Sequence, residues 1–196
     1  ITLKDGQQYA LILTVRDVSK QVLEKQKQEA IYRAGLEMGN LTPEEVTAMS
    51  HEERIILLKD QILQFTYEVL GYDTFEIRLY DSETNALHPL MEYGMDAEAA
   101  VRALLAEESG NGVTGFVAFS KRSYLCSDTQ NDPLYLRGAT DARSSLTVPL
   151  MIRDTLLGTF NVESPGTLSF NQKDLDFLTL FGRVVASSLN QLQLLA

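Results

Sequence analysis

The side chains best suited to chemistry are few in this 196-residue sequence, which contains one cysteine and two histidines. Cys126 is a candidate nucleophile, but a thiol redox cycle needs a second thiol that this sequence does not provide. His51 and His88 lie in separate segments, outside any recognisable motif. Such a set cannot supply the usual ligands of a zinc site. We therefore predict no catalytic residue, no metal site and no cofactor, and we expect that this segment is not an enzyme.

A glycine-rich segment, Gly110-Asn-Gly-Val-Thr-Gly115, precedes a short apolar stretch that we expect to be helical. Backbone N–H groups at the start of a helix can hold an anion. No lysine follows this segment in the way that phosphate-binding loops require. A tight turn is the favoured interpretation, and anion binding is the alternative.

The chain carries a formal net charge of -10, and its basic residues are scattered along the sequence. Nucleic acid is not an expected partner, because phosphate binding requires a basic surface. A single cysteine excludes an intrachain disulfide, and no apolar run approaches the roughly 18 residues that a membrane span needs. We expect a cytoplasmic location, with any membrane anchor elsewhere in a longer parent protein, since the sequence opens at Ile1 without a methionine.

Two predicted strands within Arg143–Ser164 each have one apolar and one polar face. Alternation places Leu146 of the first strand on the apolar side, together with Leu156 and Phe160 of the second. The polar side must meet either water or a ligand. It carries four small polar groups, Ser145, Thr147, Thr159 and Asn161.

Apolar residues at helical spacing predict two long helices, one over about 50–70 and one from Phe170 to about 195. Shorter helices are expected at Asp96–Glu107, at Val113–Phe119 and after Asp132. Hairpin connections between neighbouring strands predict a largely antiparallel sheet of about six strands. Both long helices can pack on one face of this sheet, which makes the fold class α+β.

The region from about residue 53 to residue 195 resembles a GAF domain through several segments in the expected order. This resemblance implies a central antiparallel sheet, long N- and C-terminal helices on one face, and a small-molecule pocket of loops and short helices on the other. The matching segments are Gly112-Val-Thr-Gly-Phe-Val-Ala118, Ser123-Tyr-Leu-Cys-Ser-Asp128, Asp132-Pro-Leu-Tyr135, Arg143-Ser-Ser-Leu-Thr-Val-Pro-Leu150, Leu157-Gly-Thr-Phe-Asn161 and Phe170-Asn-Gln-Lys-Asp174.

The resemblance implies a pocket whose floor is the polar face of the strands and whose roof is formed by the loops before the hairpin. A mixed polar and aromatic lining suits a small ligand. Whether a physiological ligand fills this pocket or the face is purely structural stays open. The candidate residues are Arg78, Ser145, Thr147, Thr159 and Asn161 in the floor, and Phe116, Asp128, Asn131, Tyr135 and Arg143 in the roof.

Cyclic-nucleotide-binding relatives share an Asn-Lys-Phe-Asp-Glu signature, which this sequence matches only in part. Asn161, Phe170 and Asp174 agree with it, whereas Glu163 and Leu175 replace the lysine and the final glutamate. Losing both members of the implied ion pair leaves no unpaired charge. The fold can therefore persist, but the resemblance does not support cyclic-nucleotide binding.

Two other specialised GAF activities depend on cysteine. Relatives that attach a bilin commonly have a histidine close after the cysteine, whereas Ser127 follows Cys126 here. Relatives that reduce free methionine sulfoxide use several cysteines, and this chain has one. An enzyme that uses Cys126 as a thiol, or pocket carboxylates as acid and base, remains the alternative to a binding module.

The N-terminal region predicts a multidomain context. Residues 1–17 resemble the C-terminal end of a PAS domain, because Tyr9-Ala-Leu-Ile-Leu-Thr-Val-Arg-Asp17 is similar to the last strand and exit of that family. We predict a linker helix region at residues 18–49, with a mostly polar helix over 18–39, and a GAF domain at residues 50–196.

These features together predict a regulatory sensory module of a signal-transduction protein. The module is expected to bind a small molecule or a partner. It would act as a homodimer through residues 18–39 and the C-terminal helix, and would relay the signal to an absent output domain, a histidine kinase or a cyclic-di-nucleotide enzyme. A second alternative is a structural dimerisation spacer without a ligand.

Overall fold

A six-stranded antiparallel sheet organises the computed structural model, which describes residues 41–192, residues 31–36 and the single positions 22, 25 and 29. The strand order across the sheet is β3-β2-β1-β6-β5-β4. Short strands of two and three residues form its edges. The strands are β1 (Phe75–Asp81), β2 (Ala86–Tyr93), β3 (Leu104–Leu105), β4 (Tyr124–Cys126), β5 (Ser144–Ile152) and β6 (Thr155–Ser164).

Reciprocal hydrogen bonds define the starts of the main helices. Thr42, Ser50 and Asn171 each cap a helix, and a carboxylate three residues later returns a bond to the capping residue's own N–H. Such capping boxes satisfy N–H groups that a helix start leaves unpaired. The helices are α1 (Pro43–Ala48), α2 (His51–Leu63, continued by the π-helical turn Gln64–Val69), α3 (Ala97–Ala100), α4 (Gly112–Ser120) and α5 (Gln172–Gln191).

Helices α2 and α5 pack on one face of the sheet and form the main hydrophobic core. Phe181 of α5 contacts Phe160 of β6 and Phe65 of the π-helical turn, with ring centroids 5.8 and 6.4 Å apart. Leu58 of α2 and Leu146 of β5 are fully buried in the same cluster. The α+β fold, the antiparallel sheet and the helical layer agree with the expectation from the sequence.

Leu156 lies on the opposite face from the one that alternation predicts. The pairing of β5 with β6 shifts between Leu150 and Met151, so that Met151 pairs with Leu156. Such a bulge reverses the direction of the side chains that follow it. Leu156 therefore joins a second, smaller cluster with Leu87, Leu104, Ala106 and Ala118, and Leu157 joins the main core.

The helix predicted at Asp96–Glu107 is wrong beyond its first turn. Only Ala97–Ala100 is helical, and Leu104–Leu105 then pairs with β2. Where the helix ends, the Arg78 side chain donates hydrogen bonds to the backbone oxygens of Ala99 and Arg102. The Ala99 oxygen also accepts the Arg102 N–H at 3.2 Å, which closes a tighter turn, and the chain then extends to pair with β2.

The short helix predicted after Asp132 is also absent from this part of the chain. Asp132 instead holds a turn, in which its side chain accepts the Leu134 N–H at 2.9 Å and the Tyr124 hydroxyl at 3.0 Å. Aspartate favours such local turns over helices, because its side chain bonds to nearby backbone N–H groups.

The structure describes only a few of the residues for which a PAS-like end and a linker helix were predicted. The PAS-like residues 1–17 lie outside the described residues, and so does most of the predicted linker helix. Residues 31–36 are helical, and Ala34 among them is fully buried against the core. The domain boundaries therefore stay predictions. Among the described residues, no helix is both long and apolar enough to cross a membrane.

Strand β6 approaches β1 so closely at Gly158 that a Cβ atom added there would collide with the backbone oxygen of Arg78. We expect Gly158→Ala to lower the free energy of unfolding by about 1–3 kcal/mol through overpacking. Urea denaturation measures this change. Gly35→Ala is the matched control, because its Cβ would meet no atom closer than 4.0 Å. Equal stability of Gly158→Ala and the parent chain would contradict the predicted crowding.

Candidate ligand-binding cavity

The sheet face opposite α2 and α5 is polar and yet buried. Helix α4 packs across β5 and β6 on this side, and the loops around it cover the remaining strands. The predicted floor residues Ser145, Thr147, Thr159 and Asn161 are each at most 3% exposed. This face therefore meets protein and an internal cavity rather than bulk water.

The Arg78 guanidinium is buried at the centre of this face. It forms an ion pair with Glu76 and donates hydrogen bonds to the backbone oxygens of Leu87 (3.2 Å), Ala99 (2.9 Å) and Arg102 (2.6 Å). Burial raises the pKa of Glu76, and the adjacent Arg78 opposes that rise. Arg78 lines the cavity as predicted, but most of its donors are used by the fold.

A chain of hydrogen bonds crosses strands β5 and β6 beside Arg78. The Thr147 hydroxyl donates to Asn161 Oδ1 at 2.8 Å. The Asn161 Nδ2 group then donates to Glu163 Oε1 at 3.2 Å. These side chains are buried, so the chain of bonds fixes the position of the Glu163 carboxylate.

Glu163 joins the strands to the loop that covers them. Its Oε2 accepts the Ala139 N–H at 2.7 Å, and the Tyr135 hydroxyl lies 3.3 Å from both carboxylate oxygens. Gly138 packs so closely that a Cβ atom there would collide with the Glu163 carboxylate. Burial raises the pKa of Glu163. No described Lys, Arg or His forms an ion pair with this carboxylate.

These groups line an internal cavity of about 20 Å³. A space of this size holds about one water molecule. Among the described residues, those that line the cavity include two acidic and two basic side chains together with the start of α4. The principal ones are Glu76, Arg78, Arg102, Gly112, Asn161 and Glu163.

A set of surface hydrogen bonds, here called the latch, closes the covering loops over the cavity. Asp96 accepts from Arg137 Nε at 3.1 Å and from the Thr140 hydroxyl at 2.6 Å. Arg102 Nη1 donates to the Arg137 backbone oxygen at 2.9 Å. A surface depression of about 350 Å³ lies outside the latch, and Ala99 and Arg102 line both this depression and the cavity.

The structure separates the remaining predicted site residues into two groups. Phe116 lies on the buried side, edge-on to the Tyr124 ring at 5.6 Å, and does not line the cavity. Asp128, Asn131 and Arg143 form a cluster nearer the surface, where Asp128 accepts from Asn131 at 2.7 Å and lies 3.6 Å from Arg143. Among the ten predicted residues, those that line the cavity are Arg78 and Asn161, and those that support Glu163 directly or through Asn161 are Tyr135 and Thr147.

Glu76 and Glu163 are the two acidic residues that line the cavity, and neither was among the predicted site residues. Glu76 alternates with the core residues Phe75 and Ile77, which indicates the polar face. Glu163 follows Asn161 by two positions in β6 and so shares its face. Alternation alone could have identified both carboxylates.

Cys126 is fully buried on the polar side of β4, opposite Ser145. Burial, followed by the nearby Asp132 carboxylate, raises the pKa of the thiol to about 12. The thiol is therefore protonated while the loop covers it, and protonated thiols are poor nucleophiles. Within residues 31–36 and 41–192, no group of three or more His, Cys, Asp or Glu side chains is arranged to hold a metal ion.

The latch is expected to control access to this side of the sheet, and Cys126 provides a native reporter of its opening. We expect Asp96→Ala to raise the labelling rate of Cys126 by N-ethylmaleimide about two- to fivefold, as loss of a partly exposed pair implies. Mass spectrometry follows the labelling. The control is Asp141→Ala on the same loop, which should label at the rate of the parent chain. Equal rates for Asp96→Ala and the parent would show that the latch does not limit access.

Several solved structures are similar to this one. A free methionine-R-sulfoxide reductase from Neisseria meningitidis matches with a TM-score of 0.70 and 15% identity, over 95% of this chain and 99% of that chain. The GAF domain of an Acinetobacter phosphoenolpyruvate-protein phosphotransferase matches with a TM-score of 0.65 and 16% identity, over 87% and 96%. Residues 122 to 287 of a methyl-accepting chemotaxis protein match with a TM-score of 0.57 and 20% identity, over 74% and 98%. A search of curated proteins finds no significant match.

The expectation that this segment is not an enzyme is contradicted by the first of these similarities. A protein with this fold over almost its whole length is a reductase. The expectation rested on the small number of candidate catalytic side chains, which excludes particular mechanisms but not the use of the fold by an enzyme. At 15% identity the similarity itself shows the fold alone.

The sequence also matches a family model directly. The matched residues, 56–189, comprise most of the chain and include most of α5 and all the strands of the sheet. The family is that of a domain that is typically regulatory and sensory, and signalling proteins are among the structures similar to this chain. This chain belongs to the GAF domain family.

Proposed function

We propose that this chain is a regulatory sensory module that binds a small molecule in the cavity beneath α4. It relays the binding event through its terminal helices, as a homodimer, to an output domain outside this chain. A histidine kinase and a cyclic-di-nucleotide enzyme are the outputs that the sequence favours. The cavity is the observation that carries this proposal.

The cavity supports a binding role because ionisable side chains line it although they are buried. Glu76, Arg78 and Glu163 are each at most 5% exposed, and burying ionisable groups costs several kcal/mol each before any pairing offsets it. Apolar residues of similar volume would often cover a sheet at lower cost. A ligand that uses these groups gives a reason to retain them.

Strand β5 contacts both the cavity side and the helical side of the sheet, because neighbouring residues along it point in opposite directions. Thr147 points to the hydrogen-bonded network, whereas its neighbour Val148 points to α5. Gly182 of α5 lies against Val148 and Leu150 so closely that an added Cβ would be 3.3 Å from each side chain. A shift in the network therefore acts on α5 with little intervening material, which supports a relay through that helix.

Exposed apolar side chains support association through the same helices. Leu180 of α5 is 51% exposed and Leu36 of the N-terminal helical residues is 47% exposed. Tyr32 and Val22 are exposed as well. A second copy of the chain would bury these side chains together, in agreement with the predicted dimer through residues 18–39 and the C-terminal helix.

Native mass spectrometry of freshly purified protein tests the proposal. We expect dimers that carry an added mass, which is lost on denaturation. Leu180→Glu should convert the dimer to a monomer without removing the added mass, because Leu180 is remote from the cavity. A monomer without added mass, combined with no thermal stabilisation by any member of a metabolite library, would contradict the proposal.

A second candidate function is reduction of a free sulfoxide, which is favoured by the similarity to the Neisseria reductase over 95% of this chain. Cys126 would supply one thiol and an external thiol the other. One sulfoxide and these two thiols then give a thioether, water and a mixed disulfide on Cys126, which a further external thiol reduces. Because burial raises the pKa of Cys126 to about 12, this reaction requires the covering loop to open first.

Turnover of free methionine-R-sulfoxide in the presence of dithiothreitol tests this second candidate. It predicts methionine formation that Cys126→Ser abolishes and that Asp96→Ala accelerates. Cys126→Ala controls for the introduced hydroxyl group. Absence of methionine above the rate with dithiothreitol alone would exclude it.

A further inference from the structure

We propose that the molecule bound in the cavity carries a small cationic group, such as a primary ammonium, that pairs with Glu163. This inference deepens the proposed function and rests on it. It follows from the charges of the cavity lining, from the hydrogen bonds of Glu163 and from the space beside it.

The charges of the lining leave Glu163 without a cation. Arg78 is committed to Glu76, with which it forms an ion pair. The charge of Arg102 opposes the rise in the pKa of Glu76, and its Nη1 donates to the backbone oxygen of Arg137. Glu163 alone among the acidic side chains of the lining has no basic partner in the described structure.

The partners that Glu163 does have are neutral. They are the Ala139 N–H at 2.7 Å, the Asn161 amide at 3.2 Å and the Tyr135 hydroxyl at 3.3 Å. These donors hold the carboxylate in place and orient it. A carboxylate has about four acceptor sites on its two oxygens, and Glu163 lines the cavity, so it can accept a further donor from that side.

A cation at this position would also favour the ionised form of Glu163. Burial raises the pKa of this carboxyl group, and the nearby Glu76 raises it further. The ionisable groups around it are Glu76 and Arg78 of β1, Arg102, and Tyr135 of the covering loop, whereas α4 contributes no ionisable side chain to the lining. A bound cation favours the ionised carboxylate, so binding should release a proton and tighten as pH rises toward the pKa of Glu163.

The available space matches a small group at the end of a larger ligand. The cavity holds about 20 Å³, which suits a group the size of water, and an ammonium is about that size. The rest of the ligand would lie toward the depression of about 350 Å³ outside the latch. Entry therefore requires the Asp96–Arg137 contact to open.

Fragment titration by NMR tests the cationic group with probes of matched size. The probes are ethylammonium, ethanol and propionate, each at up to about 100 mM and at constant ionic strength, because so few atoms give only millimolar affinity. The Ala139 N–H signal reports the site, since this group is bonded to Glu163. We expect ethylammonium to shift that signal in a saturable way, and the neutral and anionic probes to leave it unchanged.

Variants assign the effect to the carboxylate. Glu163→Gln retains an oxygen acceptor for Ala139 and should weaken ethylammonium binding at least tenfold, with loss of its pH dependence. Glu52→Gln, an exposed position at the start of α2, should bind as the parent chain does. If Glu163→Gln fails to fold, the pH dependence of ethylammonium affinity in the parent chain decides the same question, since a site without a titrating carboxylate gives none.

The outcomes separate this inference from the proposed function. Saturable binding of propionate or ethanol at Ala139 in place of ethylammonium would overturn the cationic group and leave a sensory cavity in place. No response to ethylammonium, together with a co-purified ligand that lacks a basic group, would overturn it in the same way. No probe response and no co-purified mass would overturn both.

Discussion

The buried Arg78 guanidinium is the interaction on which the polar half of this molecule depends. It neutralises Glu76 on its own strand and binds backbone oxygens from β2 and from the segment around α3. Removing such a group leaves several buried acceptors and one carboxylate unpaired, a more costly change than the loss of a surface ion pair. Arg78 thereby holds the segment that provides Asp96 and Arg102, and these two residues anchor the covering loop in turn.

The two sides of the sheet are stabilised by different kinds of interaction. On the α2 and α5 side, close packing of aromatic and aliphatic groups such as Phe160 and Phe181 stabilises the fold without directional bonds. On the α4 side, directional hydrogen bonds connect Thr147, Asn161 and Glu163 in sequence. A displaced partner on that side leaves a buried group unsatisfied, so the polar side has few alternative arrangements and can respond to a ligand as a unit.

Helical periodicity and strand alternation correctly predicted the elements whose structure depends on residues close together in the sequence. The helical spacing of the apolar residues in α2 and the alternation of faces along β5 each depend on neighbours in the sequence. The failures have more than one origin, because Leu104–Leu105 leaves the predicted helix to pair with the distant strand β2, whereas Asp132 forms a local turn through its own side chain.

In the candidate site as well, some residues were predicted from the sequence and others depend on distant contacts. Asn161 was predicted from strand alternation and Arg78 from the pocket floor that the resemblance implies, and both line the cavity. In the sequence analysis, Glu163 was considered only as the residue that replaces the lysine of the cyclic-nucleotide signature. That comparison shows which signature residue is absent, but not what the glutamate itself contacts. Its function as an acceptor for the Ala139 N–H depends on a loop that no local pattern places against β6.

The short edges of the sheet limit how this domain can join other copies or neighbouring domains. Strand β3 has two residues and β4 has three, so neither of these two strands itself presents a long row of free backbone groups. Natural proteins shorten edge strands in this way to prevent sheets from adding to one another. Where such domains follow one another in a longer chain, these two strands offer little backbone to which a neighbouring sheet could add.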